Sequence, residues 1–275
     1  MKKDLALIFF ENPISRCYLQ VCKLRNFKFN KIIVLENKKF IPNYISRIYN
    51  FQKMNYYPLL FLKNKTYEDT TKKIADYFSY PEDFFTSSYK NDSLYNFAND
   101  IEFVNTDNIN SEIFVKSLLK KKNLNYLNTG KKIYKEPLNH NLKILHIHPG
   151  YLPNIRGADA SLWNMEKLNC LGATSFLMTK KIDEGSIVSK SFYNYPRIKL
   201  NNFANIEIKE LYRFWFSFID PIIRSRHFDD YILESKSEEN NLFNLNKEVD
   251  DKNEYFSFMD NTNVKNIIRR VLNSD

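Results

Sequence analysis

The first 35 residues contain two short apolar runs that flank a stretch with helical spacing. Residues 5–10 and 31–35 are the apolar runs, and between them apolar residues recur with helical spacing over 14–26. Short apolar runs are typical of buried strands, and parallel neighbours in a sheet need a crossover connection, usually a helix. The pattern therefore predicts the α/β class, with an open, mostly parallel twisted sheet flanked by helices.

The rest of the chain continues this pattern. Strands are predicted at 101–105, 124–128, 142–148, 174–178 and 187–192, and helices near 44–53, 68–79, 111–121, 159–168 and 207–226. Gly172 is expected to close the helix at 159–168, and Pro221 to kink or restart the last one. Residues 229–275 suggest a strand-rich appendage that finishes in a basic helix. The predicted division is a core over 1–200 and a C-terminal helix with a small appendage over 201–275.

Composition limits the possible partners of the chain. Its 275 residues are 43% hydrophobic and 27% charged, which is ordinary for a soluble globular protein. The net charge of +9 favours anionic partners, although the scattered lysines also fit a solvated basic surface. The three cysteines lack metal-ligand spacing and suggest reduced thiols in a cytoplasmic protein. No apolar run reaches the roughly 18 residues of a membrane span, so we expect no membrane partner.

All five glycines fall in one part of the chain, around the run His146-Ile147-His148; they are Gly130, Gly150, Gly157, Gly172 and Gly185. Glycine permits positive φ and a close approach of the backbone to a ligand, so special geometry is expected here. Five ordinary turns are the alternative interpretation. The loop after the first strand, residues 11–15, has no glycine, which disfavours a phosphate-binding loop in the N-terminal part.

The two histidines end a predicted strand, where ligands bind in open α/β sheets. Because strand side chains alternate, His146 and His148 share one face. Asp183 lies in a turn between two later strands and can approach the same region. A carboxylate beside a histidine would fix its tautomer and raise its basicity, which produces a general base.

Other interpretations of the same residues stay open at this point. The two histidines and a distant aspartate could hold a metal ion, although no further Cys or His stands nearby to complete a zinc shell. The histidines could also be structural. Arg156 and Asp159 could form a surface pair. The aromatic residues of the helix at 207–226 favour a core role over a ligand site.

Two blocks of sequence resemble the formyltransferase family that uses N10-formyltetrahydrofolate. The first is His146 to Gly157, which reads His-Ile-His-Pro-Gly-Tyr-Leu-Pro-x-x-Arg-Gly, and the second is Gly172-Ala173-Thr174 followed by Ile-Asp-Glu-Gly-Ser-Ile at 182–187. The family pattern is Asn-x-His-(Pro/Gly)-Ser-Leu-Leu-Pro-x-x-Arg-Gly, then Gly-Val-Thr, then Leu-Asp-Thr-Gly-Asp-Ile. The resemblance covers about residues 100–195, and the first 40 only by fold pattern.

The resemblance implies catalytic roles for three residues. His148 matches the histidine that handles the proton in formyl transfer, and Asp183 matches its carboxylate partner. His146 stands where the family usually has an asparagine that donates a hydrogen bond to the reacting oxygen. A protonated or suitably tautomeric His146 could donate as well. Losing such a donor costs about 3 kcal/mol, so a His146 that cannot donate implies a slow or inactive enzyme.

The resemblance also implies ligand contacts, with no metal. The formyl donor, a folate, is expected near Gly130, Lys180, Ile182 and Gly185. Gly150, Tyr151 and Arg156 are expected near the acceptor substrate.

Among the family's branches, the chain is most similar to bacterial enzymes that acylate a nucleotide-linked amino sugar, a precursor of surface glycans. The purine-pathway branch carries a glycine-containing phosphate loop that is missing here. The tRNA-modifying branch fits the net charge, but residues 229–262 are rich in acids, which is poor material for binding phosphates. The predicted partners are thus the amino-sugar nucleotide and folate, without nucleic acid, and a homodimer is plausible. A methionyl-tRNA formyltransferase and an idle ligand-binding relative remain the alternatives.

Overall fold

A computed structural model describes residues 4–36, 57–90, 92–121, 124–234 and 254–273. The helix predicted at 44–53 lies outside these ranges. The first unit is β1 (Leu5–Phe9), α1 (Pro13–Leu24) and β2 (Lys31–Leu35), with β1 and β2 parallel. β1 is buried on both faces, because Leu7 packs in one hydrophobic cluster and Ile8 in another.

Seven strands form one sheet. The remaining five are β3 (Ile101–Val104), β4 (Asn125–Asn128), β5 (Ile144–His148), β7 (Leu171–Leu177) and β8 (Ile187–Tyr193). Their order is β3-β2-β1-β4-β5-β7-β8, with the first five parallel and the last two antiparallel to their neighbours. The predicted fold class, α/β with an open and mostly parallel sheet, is confirmed.

The strand order places the histidine strand beside the point where the topology reverses. The chain leaves β1 to build β2 and β3 on one side, and β4 and β5 lie on the other. In such sheets ligands bind outside the carboxyl ends of the strands near this reversal. Asn128, which ends β4, lies opposite His146 in β5. The predicted site is therefore at the expected edge of the sheet.

Helices flank both faces of the sheet. They include α2 (Lys65–Tyr77), α3 (Phe84–Ser88), α4 (Glu112–Leu119), α5 (Glu136–Asn139) and α6 (Ala160–Leu168). The expectation that Gly172 closes α6 is wrong. That helix ends at Asn169, which adopts the left-handed conformation at φ 50°, and Gly172 lies inside β7. A Cβ on Gly172 would come within 2.9 Å of the Asn164 Nδ2 atom, so close packing is what requires glycine there.

A long helical run covers one face of the sheet. It consists of α7 (Ile208–Phe214), a π-helical segment (Trp215–Ile219), α8 (Asp220–His227) and a second π-helical segment (Phe228–Leu233). Pro221 lies in the first turn of α8, so the prediction that the helix restarts at this proline is confirmed. The run continues to Leu233, so residues 229–233, which the sequence analysis assigned to the strand-rich appendage, belong to this helix. Phe214, Trp215 and Phe218 are fully buried, which confirms their predicted core role.

The C-terminal residues join the same core. The tail that the structure describes holds β9 (Tyr255–Phe256) and α9 (Asn261–Leu272), and β9 pairs with β6 (Arg156–Gly157) in a separate two-stranded sheet. α9 packs against α6 and α7, and its apolar side chains belong to the main cluster. The boundary at residue 200 stays a prediction.

Two general findings complete the description of the fold. Within the described ranges, no helix combines the length and apolar character that crossing a membrane requires. The cysteines Cys17, Cys22 and Cys170 are free thiols, and the first two are buried.

Since α9 shares the main core, Ile268→Ala is expected to destabilise the whole sheet domain by about 2–5 kcal/mol, the cost of deleting a fully buried aliphatic side chain. Asn266→Ala, on the exposed face of the same helix, is the control and should shift stability by no more than about 0.5 kcal/mol. Urea unfolding followed by far-UV circular dichroism measures both. If Ile268→Ala leaves the main transition unchanged and only adds a separate C-terminal one, the tail folds independently.

Candidate active site

His148 is the last residue of β5, and one of its ring nitrogens faces a carbonyl group. Its Nε2 atom lies 2.9 Å from the carbonyl oxygen of Ile155, and the side chain is almost fully buried. Because a carbonyl oxygen can only accept, the hydrogen of the neutral ring sits on Nε2. Nδ1 is consequently left with a lone pair that can take up a proton.

Asp183 supplies a carboxylate beside that lone pair. Its Oδ1 atom is 3.6 Å from His148 Nδ1, and its Oδ2 atom accepts a 3.0 Å hydrogen bond from the backbone N–H of Gly157. Asp183 adopts the left-handed conformation, with φ 52°. Ile155 and not Asp183 therefore sets the tautomer of the resting ring, which differs from the sequence-based expectation. Asp183 is placed to stabilise the ring once Nδ1 is protonated.

The loop that carries Ile155 is held by two side chains from outside it. The Thr174 hydroxyl donates to the Gly150 carbonyl at 2.8 Å and accepts from the Leu152 N–H at 3.0 Å. Asn164 accepts from the backbone N–H of Tyr151 at 2.8 Å. The position of the carbonyl that orients His148 thus depends on β7 and α6.

His146 is half-buried and meets a hydrogen-bond donor at each ring nitrogen. Asn128 Nδ2 lies 3.2 Å from its Nδ1, and Arg224 Nη1 lies 3.4 Å from its Nε2. The orientation of the Asn128 amide is fixed, because its oxygen accepts from the Gly130 N–H and the Tyr134 hydroxyl, both at 2.8 Å. The nitrogen of that amide is therefore the atom that faces the ring.

Both site histidines favour the neutral form. Burial, followed by the positive charge of Arg224, lowers the pKa of His146 to about 3, and the carboxylate of Asp183 opposes the shift. Burial also lowers the pKa of His148, again opposed by Asp183. The sequence left open a protonated or a tautomeric His146 as the donor. The low pKa removes the protonated form near neutral pH.

Arg224 is a site residue that the sequence did not assign. Its Nε bonds Asp220 at 2.9 Å, and its Nη1 donates to the Ile147 carbonyl at 2.5 Å. Asp220 and Arg224 are 2% and 6% exposed. A signal was present in the sequence, since a charged pair four residues apart in a helix of aromatic core residues points to a buried partner.

The four residues expected near the formyl donor divide into two kinds. Lys180 and Ile182 lie in an exposed loop between β7 and β8. A Cβ on Gly130 would collide with the Phe10 ring, and one on Gly185 with the Leu177 carbonyl. Glycine at these two positions is thus required by the packing of the chain itself, and their contacts with a ligand stay predictions.

The residues expected near the acceptor lie along the loop that follows β5. A Cβ on Gly150 would approach His148 Nε2 to 3.0 Å. Tyr151 stacks on Phe192 with ring centroids 4.1 Å apart, and Lys190 Nζ lies 4.6 Å from the Tyr151 ring centroid. This half-open aromatic and basic group offers a surface for a ligand.

Arg156 and Asp159 do not pair with each other, so their interpretation as a surface pair is wrong. Arg156 Nη1 lies 3.2 Å from Glu184 Oε1. Asp159 is buried and accepts from the Tyr212 hydroxyl at 2.6 Å and from the Met259 N–H at 3.0 Å. It ties α6 to the long helical run and to the tail.

A metal ion has little to bind here. Within the part of the chain that the structure describes, no three His, Cys, Asp or Glu residues group closely enough to hold one. The guanidinium of Arg224 beside His146 also repels a cation. The histidines are better suited to proton transfer than to metal binding.

Comparison with known proteins returns no matching family model and no matching curated protein. Among solved structures, the chain is similar to a sugar N-formyltransferase from a Shewanella species, at 13% identity and a TM-score of 0.42 over 83% of this chain and 67% of that one. It is also similar to a phosphoribosylglycinamide formyltransferase from Streptococcus pneumoniae, at 15% identity and a TM-score of 0.41 over 84% of this chain and 96% of that one. A third similar structure is a 4-N formyltransferase from Francisella tularensis, at 13% identity and a TM-score of 0.45 over 92% of this chain and 75% of that one.

The buried histidines predict a pH dependence of stability. His227 is fully buried between the hydroxyls of Ser189 and Ser191, at 3.0 and 2.7 Å, and burial lowers its pKa to about 3. A ring that stays neutral when folded takes up a proton on unfolding below the ordinary pKa of about 6.5. Stability is therefore greatest above that pH and falls between about 6.5 and 3, by up to about 1.4 kcal/mol per pH unit for each such ring.

Urea unfolding at pH 7, 6 and 5 tests this dependence. His227→Asn should reduce the fall in stability between pH 6 and 5 by about 1 kcal/mol relative to the unmodified protein. The same change at the exposed His140 is the control and should leave the slope unaltered. A slope that is equal in the unmodified protein and in His227→Asn contradicts a neutral His227.

Proposed function

We propose that this protein transfers a formyl group from N10-formyltetrahydrofolate to the amine of a nucleotide-linked amino sugar. The observation that carries the proposal is the protonation state of His148 at the carboxyl end of β5. Its Nδ1 atom carries no hydrogen and faces the carboxylate of Asp183. The family resemblance of the same residues supplies the reaction class. In this reaction the folate derivative is a co-substrate, consumed in each turnover.

The reaction needs one proton to be moved. A bond forms between the amine nitrogen and the formyl carbon, and the bond from that carbon to N10 breaks with its electron pair remaining on N10. The amine loses a proton and N10 gains one. His148 Nδ1 takes up the proton and returns it, while Asp183 stabilises the ring in its charged form. Such proton transfer contributes about 10²- to 10⁴-fold in rate.

The surroundings of the site fit a formyl donor of this kind. Phe10 is half-buried at the ends of β1 and β4, and Ile182 is 43% exposed in the loop before β8. These side chains offer apolar surface for a flat ring system, and the loop at 179–186 offers backbone groups. When bound, the donor supplies the activated acyl carbon. The protein supplies the proton path.

The acceptor side fits a nucleotide-linked sugar. Tyr151 and Phe192 present stacked aromatic rings, and Lys190 adds a positive charge beside them. An aromatic surface suits a base, and a positive charge suits a diphosphate. A role in surface-glycan synthesis, a cytoplasmic location and homodimer formation remain predictions from the sequence.

The acidity of the tail weighs less against tRNA than the sequence suggested. Asp229 is buried and bonds Arg25 at 2.6 Å, and Asp230 pairs with Arg226 at 2.9 Å, so these two acids do not form a free acidic surface. Five further acids of the tail lie outside the described residues. A tRNA substrate is therefore tested directly in the experiment below.

Formyl transfer is tested by incubating the protein with N10-formyltetrahydrofolate and a panel of amino-sugar nucleotides, with mass spectrometry of the products. His148→Asn and Asp183→Asn are each expected to lower kcat about 10²- to 10⁴-fold, because the proton path is lost, with KM changed only a few-fold. Both replacements are close in size to the original side chains. His140→Asn, at an exposed histidine, is the matched control.

The possible outcomes separate the alternatives. Acylation of aminoacylated tRNA and of no sugar would make the chain a tRNA-modifying enzyme. Binding of folate or a sugar nucleotide without transfer, unaffected by His148→Asn, would identify an idle relative. Transfer to a sugar that survives His148→Asn undiminished would remove His148 from the mechanism.

A further inference from the structure

His146 and Arg224 face each other with more hydrogen-bond donors than the ring can satisfy. A neutral imidazole has one N–H and one acceptor nitrogen. Here Asn128 Nδ2 points at Nδ1 and Arg224 Nη1 points at Nε2, at 3.2 and 3.4 Å. If Nδ1 carries the hydrogen, that N–H faces the amide N–H of Asn128. If Nε2 carries it, that N–H faces the N–H of Arg224, so in either case two donors meet and no acceptor is present.

An anionic oxygen would remove this mismatch. If it bound beside the two facing nitrogens and bridged them, it would accept from the N–H at His146 Nε2 and from the guanidinium of Arg224. Nδ1 of His146 would then carry the lone pair and accept from Asn128. All three donors would be satisfied at once, two of them by a negatively charged acceptor, which makes the strongest hydrogen bonds.

We propose that the place beside His146 Nε2 and Arg224 Nη1, where one oxygen can bridge both atoms, is an oxyanion site, and that Arg224 is a further catalytic residue of it. The inference rests on the proposed function, because the ligand is the oxygen of a one-carbon acyl group as negative charge develops on it. Formate, the smallest carboxylate of that kind, is the corresponding probe.

The surroundings hold Arg224 in the required place. Its Nε is bound to Asp220, and one hydrogen of Nη1 is used by the Ile147 carbonyl, which leaves the second directed at His146. Asp220 also lies 3.4 Å from the Ser161 hydroxyl, which in turn accepts from Trp215 Nε1 at 2.9 Å. The guanidinium is thus fixed before any ligand arrives, as an oxyanion site requires.

The charges around the proposed oxyanion site favour the binding of an anion. The positive charge of Arg224 acts on the ring of His146, as do Asp183 and His148, and Asp220 stands behind Arg224. An arginine side chain keeps its positive charge in proteins. The site thereby gains a permanent charged donor, where the resembling family pattern has a neutral asparagine amide.

Formate binding tests the proposal without any turnover. In protein labelled with ¹⁵N-histidine, formate at neutral pH should move the ring signals of His146 saturably toward the form with hydrogen on Nε2. Arg224→Gln should weaken this binding at least about tenfold. Arg226→Gln is the matched control, since Arg226 lies on the same helix and pairs with Asp230, and it should bind formate as the unmodified protein does.

Because Arg224→Gln leaves Asp220 buried without its partner and risks unfolding, the paired change Asp220→Asn with Arg224→Gln removes both charges together. It should lose formate binding while keeping the far-UV spectrum. Arg224→Lys retains a cation and should recover part of the binding. Equal binding of formate by the unmodified protein and the paired variant, or no saturable response of His146 in either, overturns the inference.

A kinetic measurement separates this inference from the proposed function. If the protein transfers formyl groups, Arg224→Gln or the paired variant should lower kcat about 10²- to 10³-fold with KM nearly unchanged, the usual effect of losing an oxyanion donor. Unreduced kcat would refute the role of Arg224 and leave the proposed function standing. Absence of transfer by the unmodified protein would refute the proposed function. Formate binding would still decide whether His146 and Arg224 form an anion site.

Discussion

The buried ion pair between Asp220 and Arg224 lies within α8 and holds the arginine whose Nη1 atom donates to the Ile147 carbonyl of the histidine strand. Its nitrogen–oxygen distance is 2.9 Å, and both side chains are almost wholly removed from solvent. Burying two charges is costly, and the geometry compensates only when further hydrogen bonds satisfy the remaining atoms. The Ile147 carbonyl and the Ser161 hydroxyl do so here. The pair thereby places a fixed positive charge beside His146, which adds to the effect of burial in lowering the pKa of that ring.

The rest of the candidate site is oriented mainly by groups that have no role in the proposed reaction. The Ile155 carbonyl sets the tautomer of His148, Thr174 and Asn164 fix the loop that carries this carbonyl, and the Gly157 N–H positions Asp183. Each comes from a different element of the fold. Such support keeps reacting groups within a fraction of an ångström of a productive position, which proton transfer requires.

The glycines cluster around the histidine strand for a reason that differs from the one the sequence suggested. Their clustering around the histidines suggested room for a ligand. The structure shows that side chains at Gly130 and Gly185 would collide with Phe10 and the Leu177 carbonyl, and that one at Gly150 would be tightly packed against His148. Only Gly157 adopts positive φ among the five, at 94°. Close packing of the chain around the strand that carries His146 and His148 therefore accounts for Gly130, Gly150 and Gly185.

The sequence by itself determined the sheet class and the strand that carries His146 and His148, because apolar periodicity and strand alternation are local properties. The proximity of His148 to Asp183 was also expected, from the turn that carries Asp183 between two strands and from the motif resemblance. Tertiary structure alone decided the rest. Arg224 meets His146 only because α8 crosses the end of β5, and Ile155 fixes the His148 tautomer only because its loop folds back. Contacts between distant segments, and the pKa changes that burial causes, leave no periodic signal in the sequence.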